Sequence, residues 1–103
     1  YNNLGKITVV KSEAPLNPGD QTLVLDFTYD GEGAGKGAKV SLKAETQKPV
    51  NANLESTIAS RFSIDEGADV GRDRGSPVLS RQIGGVRQSP FNGQLQTVTI
   101  DLK

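Results

Sequence analysis

Histidine and cysteine are missing from this 103-residue chain, and tryptophan with them. Without histidine there is no Ser-His-Asp or Cys-His nucleophile pair, no His-ligated zinc and no ordinary general base near neutral pH. Without cysteine there are no disulfides and no thiolate metal sites, and the redox compartment leaves no mark. Charge of one sign is not in excess either: twelve basic and twelve acidic residues are interspersed, for a formal net charge of zero. No basic stripe exists to displace counterions from a polyphosphate backbone, so nucleic acid is not an expected partner. No apolar run approaches the roughly 20 residues of a membrane-spanning helix, and no membrane partner is expected. The chain opens on Tyr1 rather than Met, as expected of a processed product or a piece of a longer protein. Chemistry here would have to rest on carboxylates, lysine, tyrosine or serine, and no catalytic residue is assigned.

What is present reads as strand. Leu, Ile, Val and Phe make up about a quarter of the residues, enough for a modest core in one domain spanning 1–103. The apolar pattern has period two almost throughout. It predicts strands over 6–11, 22–29, 38–45 and 94–102, with weaker ones at 52–57 and 58–64. Leu23, Leu25, Phe27 and Tyr29 share one face of the second. Ala38, Val40, Leu42 and Ala44 share the inward face of the third, and Val98, Ile100 and Leu102 one face of the last. Two prolines and a glycine break the chain over 14–21, and 65–93 is rich in Gly, Pro, Asp and Ser, as loops or short edge strands are. No segment sustains a helical period. Strands between turn signals, apolar on one side and polar on the other, predict an all-β fold: an antiparallel β-sandwich of jelly-roll or laminin-G-like kind.

The stretch DGEGAGKGAK invites comparison with a phosphate loop. Such a loop needs Gly-x-x-x-x-Gly-Lys-Ser/Thr opening a helix, whose N-terminus binds the anion. Gly35 and Lys36 are in place, but Asp30 stands five residues before Gly35 and Gly37 follows Lys36. The next segment is a strand pattern. The dinucleotide spacing fails too, because it would require glycine where Lys36 stands. Gly31, Gly33, Gly35 and Gly37 are therefore read as a structural hairpin connection, at least two of them with positive φ.

The series LDFTYDGEGAGKGAKVSL, RFSIDEGADVGRDRGSPV and FNGQLQTVTIDL resembles the C-terminal, non-catalytic region of bacterial arylsulfatases. There, a strand ending in aromatic-Tyr-Asp leads into a Gly-Lys-Gly turn. A Phe-Ser-x-Asp-Glu segment runs into Asp-Val-Gly-x-Asp-x-Gly-x-Pro-Val, and a Phe-x-Gly turn feeds the last strand. The likeness covers roughly 22–102. It departs where Glu32 follows Gly31 in place of a second glycine, and where ETQKPVNA replaces an Asn/Asp-Gly hairpin. Sulfatases act through a formylglycine made in a Cys/Ser-x-Pro-x-Arg motif beside a calcium ion. No serine here has that spacing, so the resemblance implies that formylglycine and calcium belong to a catalytic domain outside this chain, which carries no cofactor of its own. It also implies a periplasmic or secreted location and a structural role, packing on that catalytic domain.

Asp65, Glu66, Asp69 and Asp73 form the densest carboxylate cluster. They are the candidates for calcium, which takes 6–8 oxygen ligands. They lack EF-hand spacing, and Arg61, Arg72 and Arg74 can neutralise them, so turn caps and ion pairs are the expected role. As a glycosidase carboxylate pair they have no expected cleft. A rival reading is an independent carbohydrate-binding or adhesion sandwich; but Phe27, Tyr29 and Phe62 are read as core or turn anchors rather than sugar platforms. Val78, Leu79, Ile83, Val86 and Phe91 are more apolar than surface loops need, and are assigned to an interface with another domain.

Overall fold

The computed structural model describes residues 1–60, 67–74 and 90–102. The chain divides into two compact units, Tyr1–Phe62 and Ser63–Lys103. Among the described residues there is no helix; the strands are all antiparallel and form two small sheets, as in an all-β fold.

The first sheet is a hairpin of β1 (Asn2–Asn3) and β2 (Lys6–Ile7), pairing Asn2 with Ile7 and Asn3 with Lys6. Its two turn residues, Leu4 and Gly5, both have positive φ, at 51° and 96°. That is the requirement of a two-residue type I′ turn, whose twist matches the strands. The Asn2 side chain accepts the Gly5 N–H at 2.8 Å. Leu4 adopts this backbone with its side chain in water. The ladder gains one further rung, Tyr1 and Thr8 exchanging N–H···O bonds of 2.8 Å in both directions.

The second sheet holds β3 (Leu23–Tyr29), β4 (Ala38–Ala44) and β5 (Val50–Leu54), in that order. Its register explains its two faces. Leu25, Leu42 and Val50 stand in one row, Phe27, Val40 and Ala52 in the next, and Tyr29, Ala38 and Leu54 in the third. Side chains of directly paired residues share a face, so one face is apolar across all three strands. The opposite face carries Asp26, Thr28, Lys39, Ser41, Lys43, Asn51 and Asn53.

Only half of the apolar face is covered. Ala38, Val40 and Leu54 are buried, with Tyr1 and Val10 packed against them. The N-terminal hairpin is held there by the Tyr1 hydroxyl, which accepts the Ile58 N–H at 2.8 Å. Asn3 Nδ2 adds a bond to Ser56 Oγ at 2.8 Å, and Lys6 pairs with Glu55. The half built on β3 is bare: Leu23 is 53% exposed, Leu25 66% and Phe27 51%.

Among the described residues β3 is also an edge strand. Asp30 N–H donates to Gly37 O, and Glu45 N–H to Thr22 O, both at 3.0 Å. These two rungs fix the alternation: even-numbered residues of β3 bond to β4, and the backbone groups of Leu23, Leu25 and Phe27 point to the open side.

The expected strands over 22–29 and 38–45 match β3 and β4 to within a residue. Others need correction. The strand expected at 6–11 is paired as β2 only over Lys6–Ile7. The one expected at 52–57 runs instead over Val50–Leu54. Pro49 misled the pattern, since proline lacks a donor but is tolerated just before a strand. Residues 58–60 are in no strand, and the rest of that expected element lies outside the described residues. The segment 94–102 is in no strand, and Val98, Ile100 and Leu102 are exposed. Alternation marks a segment able to pair; a strand forms only where a partner's amides are aligned with it. Phe27, expected as a core or turn anchor, is half exposed, because no described residue of the first unit packs over the β3 half of the face.

Candidate functional site

The glycine loop joins β3 to β4 as a hairpin connection, so Lys36 leads into a strand and meets no helix N-terminus. Tyr29 organises it. The Tyr29 hydroxyl donates to Gly33 O at 2.6 Å and accepts the Lys36 N–H at 2.8 Å. Gly33 and Gly35 have φ of 85° and 77°, a region closed to most side chains. Gly37 is constrained differently. A Cβ there would stand 2.7 Å from Leu54 O and 2.8 Å from Asp30 Oδ2. Thr57 N–H donates to Lys36 O at 2.7 Å, tying the loop to the segment after β5. Each of these groups is spent on holding the turn.

A shallow hollow of about 60 Å³ lies beside the N-terminal hairpin, lined by Asn3, Lys6, Thr8, Asn53, Glu55 and Ser56 among others. That is far below the roughly 300–1,000 Å³ of a ligand cleft, and too small to enclose a sugar ring. The Lys6 ammonium, by its hydrogen bond and then its charge, holds the Glu55 carboxyl below its ordinary pKa.

Of the acidic candidates, Asp65 and Glu66 lie outside the described residues. Asp69 accepts the Arg74 backbone N–H at 2.7 Å and Arg74 Nε at 2.8 Å. Its pKa is lowered, first by the backbone bond and then by the side-chain bond from Arg74; the charges of Arg74 and Arg72 add to this. A carboxylate closing a five-residue turn onto its own arginine is a turn cap. Among the described residues no three His, Cys, Asp or Glu side chains are grouped to hold a metal ion.

Val78, Leu79, Ile83 and Val86 lie outside the described residues as well. Phe91 is half exposed, and its N–H donates to Gly71 O at 2.7 Å. The apolar surface that the structure does describe is the β3 half-face of Leu23, Leu25 and Phe27. The sequence carried one signal for it. β3 is apolar at Val24 as well as at its odd positions, more than a one-sided strand requires.

No family model, curated protein or solved structure matches the chain.

Proposed function

We propose that this chain is the non-catalytic C-terminal accessory domain of an arylsulfatase-like protein, and that it packs on a catalytic domain which hydrolyses sulfate esters. The observation that carries the proposal is the exposed apolar half-face on β3, whose backbone groups at the same residues have no strand partner among the described residues. A row of large apolar side chains beside an unpaired edge is a liability in a free monomer and a ready surface for a neighbour. The family motifs of the sequence supply the neighbour's identity. The three-stranded sheet is then one layer of an antiparallel β-sandwich. Val78, Leu79, Ile83, Val86 and Phe91 are further apolar contacts with the catalytic domain, in an interface of roughly 600–1,500 Å². Calcium and formylglycine act in that domain, the location is periplasmic or secreted, and this chain contributes packing and no reacting group.

Two measurements test this. The isolated chain should release no product from an aryl sulfate above background, with or without calcium. Hydrogen exchange at Leu23, Leu25 and Phe27 should be fast in the isolated chain and slow in the longer protein that contains it. Equal exchange in both would refute the packing role, whatever the outcome of the activity assay.

A further inference from the structure

Asn92 is followed by Gly93, the one Asn-Gly step among the six asparagines. Both residues are exposed, in a stretch with no strand. Phe91 is pinned on one side by its bond to Gly71 O, and its ring lies over Gly93 where a side chain would stand. A Cβ at 93 would fall 2.7 Å from Phe91 Cε1. Neither the Asn92 carboxamide nor the Gly93 N–H is hydrogen-bonded to another described residue. The other asparagines differ in ways that matter chemically. Asn2 Oδ1 accepts the Gly5 N–H, and Asn3 and Asn17 donate to Ser56 and Thr46. Asn51 and Asn53 sit within β5, ahead of Ala52 and Leu54.

We infer that Asn92 is a site of spontaneous deamidation. The Gly93 amide nitrogen, having lost its proton, attacks Asn92 Cγ; the new C–N bond closes a five-membered succinimide, and the carboxamide nitrogen leaves as ammonia after taking up a proton. Water then opens the ring. Attack at Cγ restores the peptide with aspartate; attack at the backbone carbonyl leaves isoaspartate, with one more methylene in the main chain. One water is consumed, one ammonia is released, and no oxidant or reductant is involved. Glycine at 93 is what admits the reaction, because a Cβ would crowd the attacking nitrogen. The product places a new negative charge beside Phe91 and moves the formal net charge from zero to −1.

The test is to incubate the full chain in mildly alkaline buffer at body temperature, digest it with trypsin and follow the peptides by mass spectrometry. The peptide spanning 88–103 should gain the deamidated mass faster than the one holding Asn51 and Asn53, with isoaspartate detectable by enzymatic methylation. Gly93→Ala should slow it towards the rate at Asn51 and Asn53, since it adds the hindering Cβ. Should that variant misfold, the wild-type comparison still decides, together with a rate that rises with pH. A rate at Asn92 no faster than at Asn51 and Asn53, or one unchanged by Gly93→Ala in a folded variant, overturns the inference.

Discussion

Alanine substitution along the glycine loop should give three different results at Gly31, Gly33 and Gly37, because each position is limited by a different force. At Gly31 φ is not positive and an added Cβ meets nothing within 4 Å. Alanine there only narrows the unfolded ensemble, and should be neutral or stabilising by about 0.4–1 kcal/mol. At Gly33 the space is equally open but φ is 85°. The left-handed backbone costs a side chain about 1–2 kcal/mol, partly offset by the same unfolded-state gain, for a net loss near 1 kcal/mol. At Gly37 the backbone is ordinary and the obstacle is contact. The Leu54 carbonyl, 2.7 Å away, must retreat by about 0.7 Å to reach ordinary contact near 3.4 Å. Asp30 can swing aside cheaply, but Leu54 O is backbone at the end of β5, opposite Ala38. Overpacking of that kind costs about 1–3 kcal/mol. In a domain of this size 1 kcal/mol moves Tm by about 4–8 °C, so thermal melts and urea titrations separate the three variants. Loss at Gly31 equal to that at Gly37 would refute the reasoning, and so would a neutral Gly37→Ala.

Tyr29→Phe removes a donor to Gly33 O and an acceptor for Lys36 N–H; it should cost about 1–2 kcal/mol in urea titrations, with β3 and β4 retained by circular dichroism. Leu25→Lys alters an exposed side chain and should leave stability within about 0.5 kcal/mol while lowering self-association and dye binding, checked by light scattering and fluorescence. The Asp69 carboxyl has its pKa depressed in the folded chain, so its contribution is present above the unfolded-state value and is lost as pH falls through the lower, folded one. Asp69→Asn should therefore make the acid limb of a stability-against-pH curve shallower; identical limbs would contradict this. Calcium at 100 times a dissociation constant would add about 2.7 kcal/mol to a fold that bound it, and no such shift is expected between chelator and millimolar calcium.

Local chemistry determined the β3–β4 hairpin. Its alternation, the aromatic-Tyr-Asp end and the glycine run are contiguous in sequence, and a hairpin needs no distant partner, so strands, face and turn were all legible. The same holds for Asp69, whose arginine lies five residues on. The pattern VNANL was also in plain view, yet Pro49 and two asparagines disguised it; only pairing with β4 shows that Asn51 and Asn53 take the polar face while Val50, Ala52 and Leu54 complete the apolar one. Tertiary structure alone decided which part of that face is covered. Tyr1 and Val10 pack on Ala38, Val40 and Leu54, and the N-terminal hairpin is tied down by bonds from Asn3 to Ser56 and between Tyr1 and Ile58, more than fifty residues away; no periodicity encodes so distant a contact. It also decided against a strand at 94–102. Alternation records that side chains can share a face; whether anything lies against that face depends on chain brought from elsewhere, at an entropic cost set by the loop closed and not by the pattern itself.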